Sequence, residues 1–223
     1  MGDGNSMEFE GSLFGSAFGG VNQPKLPPMP TIEVVVPTTL QEFYTGCMKT
    51  ISYQKQTIGL DGKNVHQTMI NKQVEVKAGM TQHDNYTYKG EGHQQPGQNP
   101  SNLYVNFQMV PPDPRSPDYP VTSRYGRKGD DLFYRHPITL QDSIQCKPVK
   151  IPLLDGRVIL LPIDQVITPK TIMTCEGEGM KVYDRKDPMD ENVRRGNLYV
   201  SFDIQFPRKV STSNKEKLIA ILS

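Results

Sequence analysis

The residues able to do chemistry are sparse and widely spaced. His66, His83, His93 and His136 are scattered along the chain. None has the His-x-x-x-His spacing that sets two imidazoles on one helical face for a metal. Cys47, Cys146 and Cys175 are never close enough for a zinc knuckle or a redox Cys-x-x-Cys pair. No Gly-x-Ser-x-Gly elbow occurs, and Gly90-Glu91-Gly92 lacks the third glycine of a dinucleotide loop, so it reads as a turn. Asp130-Asp131, and Asp187 with Asp190-Glu191, offer carboxylates for a cation, but without EF-hand spacing they read as solvated surface. An enzyme has little support here, and no cofactor or metal is expected.

Composition narrows the partners. With 25 Lys+Arg against 24 Asp+Glu the net charge is +1, and no basic run is interleaved with aromatics. Neither nucleic acid nor an anionic membrane is therefore expected as the main partner. The odd, sparse cysteines fit a reducing compartment, and the cytoplasm is expected. No apolar run approaches the roughly 20 residues of a membrane-spanning helix. The start, Met1-Gly2 through Ser6, formally fits a myristoylation pattern, but linker-like sequence is the favoured reading.

The elements that must position any site come from an internal repeat. Pro37-Thr38-Thr39-Leu40-Gln41-Glu42 is matched by Pro137-Ile138-Thr139-Leu140-Gln141-Asp142. Leu60-Asp61-Gly62-Lys63 is matched by Leu154-Asp155-Gly156-Arg157, and Gly90-Glu91-Gly92 by Gly177-Glu178-Gly179. Asn102-Leu103-Tyr104-Val105-Asn106-Phe107 is matched by Asn197-Leu198-Tyr199-Val200-Ser201-Phe202. The same order in both halves implies two tandem copies of one small domain.

Each copy reads mostly as strand. Leu103, Val105, Phe107 and Met109 alternate with polar residues, as do Leu198, Val200, Phe202 and Ile204. Asp-Gly marks hairpin turns, and the Gly-Glu-Gly sites supply positive-φ turn positions. Thr39 with Glu42 spells a capping box for a short helix ending at Gly46, and Thr139 with Asp142 spells a weaker one. The fold class expected is all-β: two tandem β-sandwich-like domains, each with one short helix, and a short C-terminal helix.

The expected boundaries are a flexible Gly/Phe- and Pro-rich linker at 1–30, a first β domain at 31–110, a Pro-rich spacer at 111–123, a second β domain at 124–208 and a helix at 209–223. The linker is either passive or a sticky segment that touches other chains transiently. Pro111, Pro112, Pro114, Pro117 and Pro120 favour extended chain and a semi-rigid spacer. In the tail Leu218, Ile219, Ile221 and Leu222 form an apolar group with no partner in sequence. It packs on the second domain or crosses to another subunit, and a symmetric dimer is the commoner solution.

The order of these motifs resembles the C-terminal client-binding region of DnaJ-family co-chaperones over about residues 11–223. The resemblance rests on Leu40-x-x-x-Tyr44-x-Gly46-Cys47, Val74-Glu75-Val76-Lys77-Ala78-Gly79, Gly90-Glu91-Gly92 and Arg127-Lys128-Gly129-Asp130-Asp131-Leu132. His136-Pro137-Ile138-Thr139-Leu140, Arg195-Gly196-Asn197-Leu198 and Phe206-Pro207 complete it. Zinc-binding members carry four Cys-x-x-Cys-x-Gly-x-Gly motifs in the first β domain. Gln54 to Asn71 fill that place here without a cysteine, so the zinc-free class is implied. The His-Pro-Asp tripeptide of a J domain is absent: only His136 precedes a proline, and Ile138 follows it. Holding and dimerisation without stimulation of a partner ATPase is the expectation.

The resemblance implies a hydrophobic client groove on the first domain lined by Val34, Val36, Ile51, Tyr53 and Val105. The uninterrupted Val34-Val35-Val36 independently suggests an uncovered face. The same five residues also suit a closed core, and the sequence leaves that choice open. The resemblance further implies that Lys49 holds the acidic tail of a DnaK-type seventy-kilodalton heat-shock chaperone, and that partners are unfolded client polypeptides, that chaperone and a second copy of the chain. Ser52 stands where another basic residue is frequent, and Ile51 where a Phe is common. Two other classes remain: a structural assembly protein with one fixed partner, and a carbohydrate-binding or hydrolytic β protein using Glu91 and Glu178. The equivalent placement of those two glutamates suits a turn better than an asymmetric active site.

Overall fold

Both copies of the repeat are built around one pairing, in which the first long strand runs parallel to the last. The computed structural model describes residues 28–183 and 194–222. The Gly/Phe stretch, Asp187, Asp190, Glu191 and the side chain of Leu222 lie outside the described residues. In the first copy β1 (Ile32–Thr39) pairs with β5 (Leu103–Val110), with Ile32 opposite Leu103. In the second β7 (Asp131–Thr139) pairs with β11 (Leu198–Gln205), with Leu132 opposite Leu198. The repeat therefore extends to the strand register. A parallel pair requires a crossover, and each copy supplies it with a short helix and a hairpin. These are α1 (Leu40–Thr45), β2 (Cys47–Ile58) and β3 (Val65–Val76) in the first, and α3 (Leu140–Ile144), β8 (Val149–Pro152) and β9 (Val158–Leu161) in the second.

The edge strands β4 (Asn85–Tyr88) and β10 (Ile172–Cys175) complete the matching sheets, pairing antiparallel with β5 and β11. The remaining elements are α2 (Tyr119–Thr122), β6 (Tyr125–Lys128) and α4 (Thr212–Leu222). The architecture is thus all-β, in two domains with few short helices and a C-terminal helix.

The capping signals do what their chemistry allows. The Thr39 hydroxyl accepts from the Glu42 N–H at 3.3 Å, and the Thr39 N–H donates to the Glu42 carboxylate at 2.8 Å. The weaker version at α3 keeps only the first half, with the Asp142 N–H donating to Thr139 at 3.1 Å. The Gly-Glu-Gly turns are also repeated in detail. Gly90 at φ +73° and Gly177 at φ +71° occupy the left-handed region that favours glycine. Their N–H groups donate to the side chains of Asn102 and Asn197 at 3.2 and 3.3 Å. The two landmarks that sequence shows separately are one interaction in space.

In the first domain the core packs Phe43 of α1 edge-on to Phe107 of β5 at 6.3 Å, with Tyr86 against the other side of Phe107 at 5.9 Å. Leu103 and Val105 are fully buried beside Val74, Val76 and Met80. The second core repeats this with Leu132, Ile151, Leu198, Val200 and Phe202.

The proline-rich spacer is only partly extended, because its last residues turn into α2 with Pro120 in the first turn, where a missing N–H costs nothing. What joins the domains is side-chain chemistry. Arg127 on β6 donates from Nη1 to the Met80 carbonyl at 2.6 Å and from Nη2 to the Gly79 carbonyl at 2.8 Å. Its guanidinium is almost fully buried there. A side chain at Gly79 would collide with the Lys181 carbonyl, so the backbones meet closely at this point. Gln41 of α1 donates to the Leu154 carbonyl at 3.2 Å, and Arg195 lies over the Tyr44 ring at 5.1 Å.

Arg127→Ala would leave two interdomain carbonyls without a donor. Charge-assisted hydrogen bonds of this kind contribute about 1.5–3 kcal/mol. The expected outcome is a loss of roughly that size in urea unfolding and a broadened interdomain distance distribution in small-angle X-ray scattering. An unchanged midpoint with an unchanged distribution would show that Arg127 does not hold the domains together.

Candidate functional site

The backbone of β1 defines the first candidate. In a parallel ladder alternate residues turn both backbone groups to the same neighbour. The Ile32 N–H donates to Asn102 at 3.0 Å, so Ile32, Val34 and Val36 face β5. Glu33 and Val35 then turn their N–H and carbonyl groups to the outer edge, which no strand covers among the described residues. Pro37 follows on the same edge, and its carbonyl accepts from the Lys49 ammonium at 3.0 Å. Facing this edge is β2, which pairs with β3 and whose other edge is bonded only at its far end, at Gln56–Ile58 to Gln94, among the described residues. A gap therefore runs between two strand edges, closed at one end by Lys49.

The second domain shows the same edge occupied. There β6 pairs antiparallel with β7, and the Arg135 N–H donates to the Arg124 carbonyl at 3.2 Å. By the repeat, Arg135 stands where Val35 stands in the first domain. Tyr125 of β6 stacks on Tyr134 at 4.5 Å, and its hydroxyl donates to the Pro152 carbonyl of β8 at 2.7 Å. Burial pushes the Tyr125 phenol far up, so it remains a donor. Tyr134 and Pro152 stand where the first domain has Val34 and Ser52. One added strand thus lies along the β7 edge in the second copy, with Tyr125 reaching β8, and no strand takes that place in the first among the described residues.

Of the five residues expected to line a groove, the structure places Val36, Ile51, Tyr53 and Val105 in the core, Val105 with no exposed surface. Val34 is half-buried and packs against that core from the gap. Val35 points the other way and is exposed. The unbroken valine run reflects one half-buried, one exposed and one buried residue.

Lys49 lies where the gap ends and forms an ion pair with Glu42 at 2.6 Å. Burial alone would raise the Glu42 carboxyl, but the hydrogen bond and charge of Lys49, with the bonds from Thr39, outweigh it and hold it below the usual range. Glu91 and Glu178 are each paired with a cation, Lys72 at 2.9 Å and Arg157 at 2.8 Å, which explains their equivalent places in the repeat as turn anchors. Leu218, Ile219 and Ile221 of α4 are exposed.

The second domain also holds a cavity of about 440 Å³ lined by Arg124, His136, Ile138, Asp142, Lys147 and Val149. Burial, and the nearby Arg124 charge, lower the His136 pKa, so its imidazole is neutral near pH 7. Its Nδ1 is buried without a partner among the described residues. Neither β6 nor this cavity is legible in sequence. Tyr125-Gly126-Arg127-Lys128 lacks apolar alternation, and the cavity-lining residues are spread over four elements. The described residues contain no group of three or more His, Cys, Asp or Glu side chains arranged to hold a metal. No helix among them is long and apolar enough to cross a membrane.

Residues 32–207 match the family described as DnaJ C terminal domain. The chain is 29% identical over 213 residues to DnaJ homolog subfamily B member 13 of Homo sapiens, covering 94% of this chain and 61% of that protein. It is 28% identical over 194 residues to DnaJ protein homolog 1 of Drosophila melanogaster, covering 86% and 53%. It is 27% identical over 180 residues to DnaJ homolog subfamily B member 5 of Homo sapiens, covering 81% and 47%. The chain thus spans about half to three-fifths of the length of these relatives.

Proposed function

The chain belongs to the DnaJ C-terminal domain family, and from that premise we propose that it is the polypeptide-holding part of a co-chaperone, binding non-native segments along the open edge of β1. The observation that carries this reading is the strand β6. It adds to β7 in the second domain at the edge that no strand covers in the first among the described residues. A client segment in extended form completes the first domain as β6 completes the second. It accepts from the Val35 N–H and donates to the outward carbonyls of Glu33 and Val35. It also lays one apolar side chain on Val34, as Tyr125 lies on Tyr134. Main-chain pairing tolerates many sequences, and the side-chain contact adds a preference for apolar residues.

The acidic tail of a DnaK-type chaperone is a second proposed ligand, at Lys49. Because Glu42 already holds that ammonium, the tail shares the charge rather than taking it whole. The exposed apolar residues of α4 support a homodimer in which each helix packs on the partner copy.

One observation favours the alternative of a fixed assembly partner. Leu154 is buried, with its carbonyl bonded to α1 of the first domain, whereas its repeat counterpart Leu60, at the tip of the β2–β3 hairpin, is 96% exposed. In that reading the Leu60 loop docks on one protein as the Leu154 loop docks on α1. Holding of many unrelated unfolded chains with Leu60→Asp unchanged would argue against it.

Val35→Pro tests the edge directly. It removes the outward N–H from an edge strand, a position where proline is tolerated. Suppression of aggregation of a heat-unfolded client is expected to need about tenfold more protein, with the melting temperature little changed. Val34→Asp is expected to act in the same direction through the side-chain contact. If both variants hold clients as well as the parent, the β1 edge is not the site.

Light scattering of a chain ending at Arg208 tests the dimer. The expected result is a fall from dimer to monomer mass, and an unchanged mass removes α4 from the interface.

A further inference from the structure

We propose that the second-domain cavity between β7, α3 and β8 binds an acidic, extended segment of a partner polypeptide, a site separate from the β1 edge. Its volume of about 440 Å³ lies within the range of ligand-binding clefts, roughly 300–1,000 Å³. Ile138 and Val149 supply an apolar surface, and Arg124 and Lys147 converge on it with one opposing carboxylate, Asp142. Neither Arg124 nor Lys147 forms an ion pair among the described residues. The Asp142 carboxylate is turned to the Thr139 hydroxyl at 2.6 Å, and His136 also lines the cavity, with an Nδ1 that is buried and has no partner among the described residues.

Two features select a peptide over a small anion. The ladder between β6 and β7 ends at Tyr125 opposite Tyr134, with one further bond from Arg135 to Arg124. Beyond it only Pro137 and Thr139 turn to the outer edge of β7, and neither they nor the facing edge of β8 have a strand partner among the described residues. Pro137 offers only its carbonyl, so the extended chain that an open edge beside an apolar surface suits pairs mainly along β8. The repeat supplies the sign of the charge. In the first domain the single gap lysine, Lys49, is neutralised by Glu42. In the second, Val149 replaces Lys49, and the cations come from Lys147, at the place of Cys47, and Arg124. These charges are not answered among the described residues, and carboxylates alternating with apolar side chains answer both halves of the site.

Fluorescence anisotropy of the full chain with a labelled short peptide alternating Glu and Leu tests this. Binding is expected, and the counterpart with Lys in place of Glu is expected not to bind. Arg124→Glu combined with Lys147→Glu is expected to weaken the acidic peptide by at least about tenfold. Lys147→Glu alone, on an exposed residue, is expected to weaken it less and guards against misfolding of the double variant. Val35→Pro is expected to leave it unchanged, which separates this site from client holding. Insensitivity to the charge reversals, equal binding of the Lys peptide, or loss on Lys49→Ala would each overturn the proposal. Residues 1–24 carry Asp3, Glu8 and Glu10 and no Lys or Arg. If the peptide binds only after Glu8→Lys with Glu10→Lys, this chain's own segment fills the cavity and an outside partner is wrong.

Discussion

A buried or half-buried backbone must satisfy its N–H and carbonyl groups, and the parallel pairing of β1 with β5 makes that demand one-sided. The ladder satisfies Ile32, Val34 and Val36 and turns Glu33 and Val35 outward. An antiparallel hairpin would have placed the next strand beside β1 at once. The parallel topology instead sends the chain through α1 and across to β2. The result is two strand edges facing across a gap, a hazard for pairing with other chains unless it is covered or used. Both solutions occur in this chain. The second domain covers its edge with β6, and among the described residues no strand covers that of the first.

Covering the second edge also fixes the molecule. β6 carries Tyr125, which seals the second gap through Tyr134 and the Pro152 carbonyl, and two residues later Arg127, which grips Gly79 and Met80 of the first domain. Two residues apart, these side chains share one face of a four-residue strand, and their different lengths and chemistry serve two tasks. The edge strand that makes the second domain self-sufficient is thus the strand that locks it to its neighbour. The open gap of the first domain is held at a set position relative to the rest of the chain, by a guanidinium rather than by the stiffness of the prolines before it.

Much of the framework was legible because it depends on local chemistry. Thr39 and Glu42 cap α1 within one turn, and Asp-Gly and Gly-Glu-Gly make turns wherever they occur. The repeat of Asn102 and Asn197 was visible, and only the structure shows why each is there: its side chain closes the Gly-Glu-Gly turn. The choice between core and groove was not legible, because Val36, Ile51, Tyr53 and Val105 have the same residue types in either role. Burial is decided by what the crossover lays over each strand. β6 is not legible because a short edge strand is specified by the strand it joins. The interdomain role of Arg127 is not legible because its acceptors are backbone carbonyls, and these have no sequence identity.

The open edge and the exposed face of α4 are linked by energetics. Each backbone hydrogen bond made at β1 is worth about 0.5–1.5 kcal/mol net, and only Glu33 and Val35 turn their groups fully outward before Lys49 closes the gap. A side chain buried on Val34 adds about 1.5–3 kcal/mol. Against these stands the loss of freedom of both partners, at least about 4 kcal/mol. A single short edge therefore holds an extended segment only weakly, which suits release but not retention. Two edges on one assembly change this, because the second contact forms at the high effective concentration set by the first. In the proposed dimer α4 gives each weak edge a second one within reach of the same client chain. The shortness of the edge and the apolar helix then belong to one design.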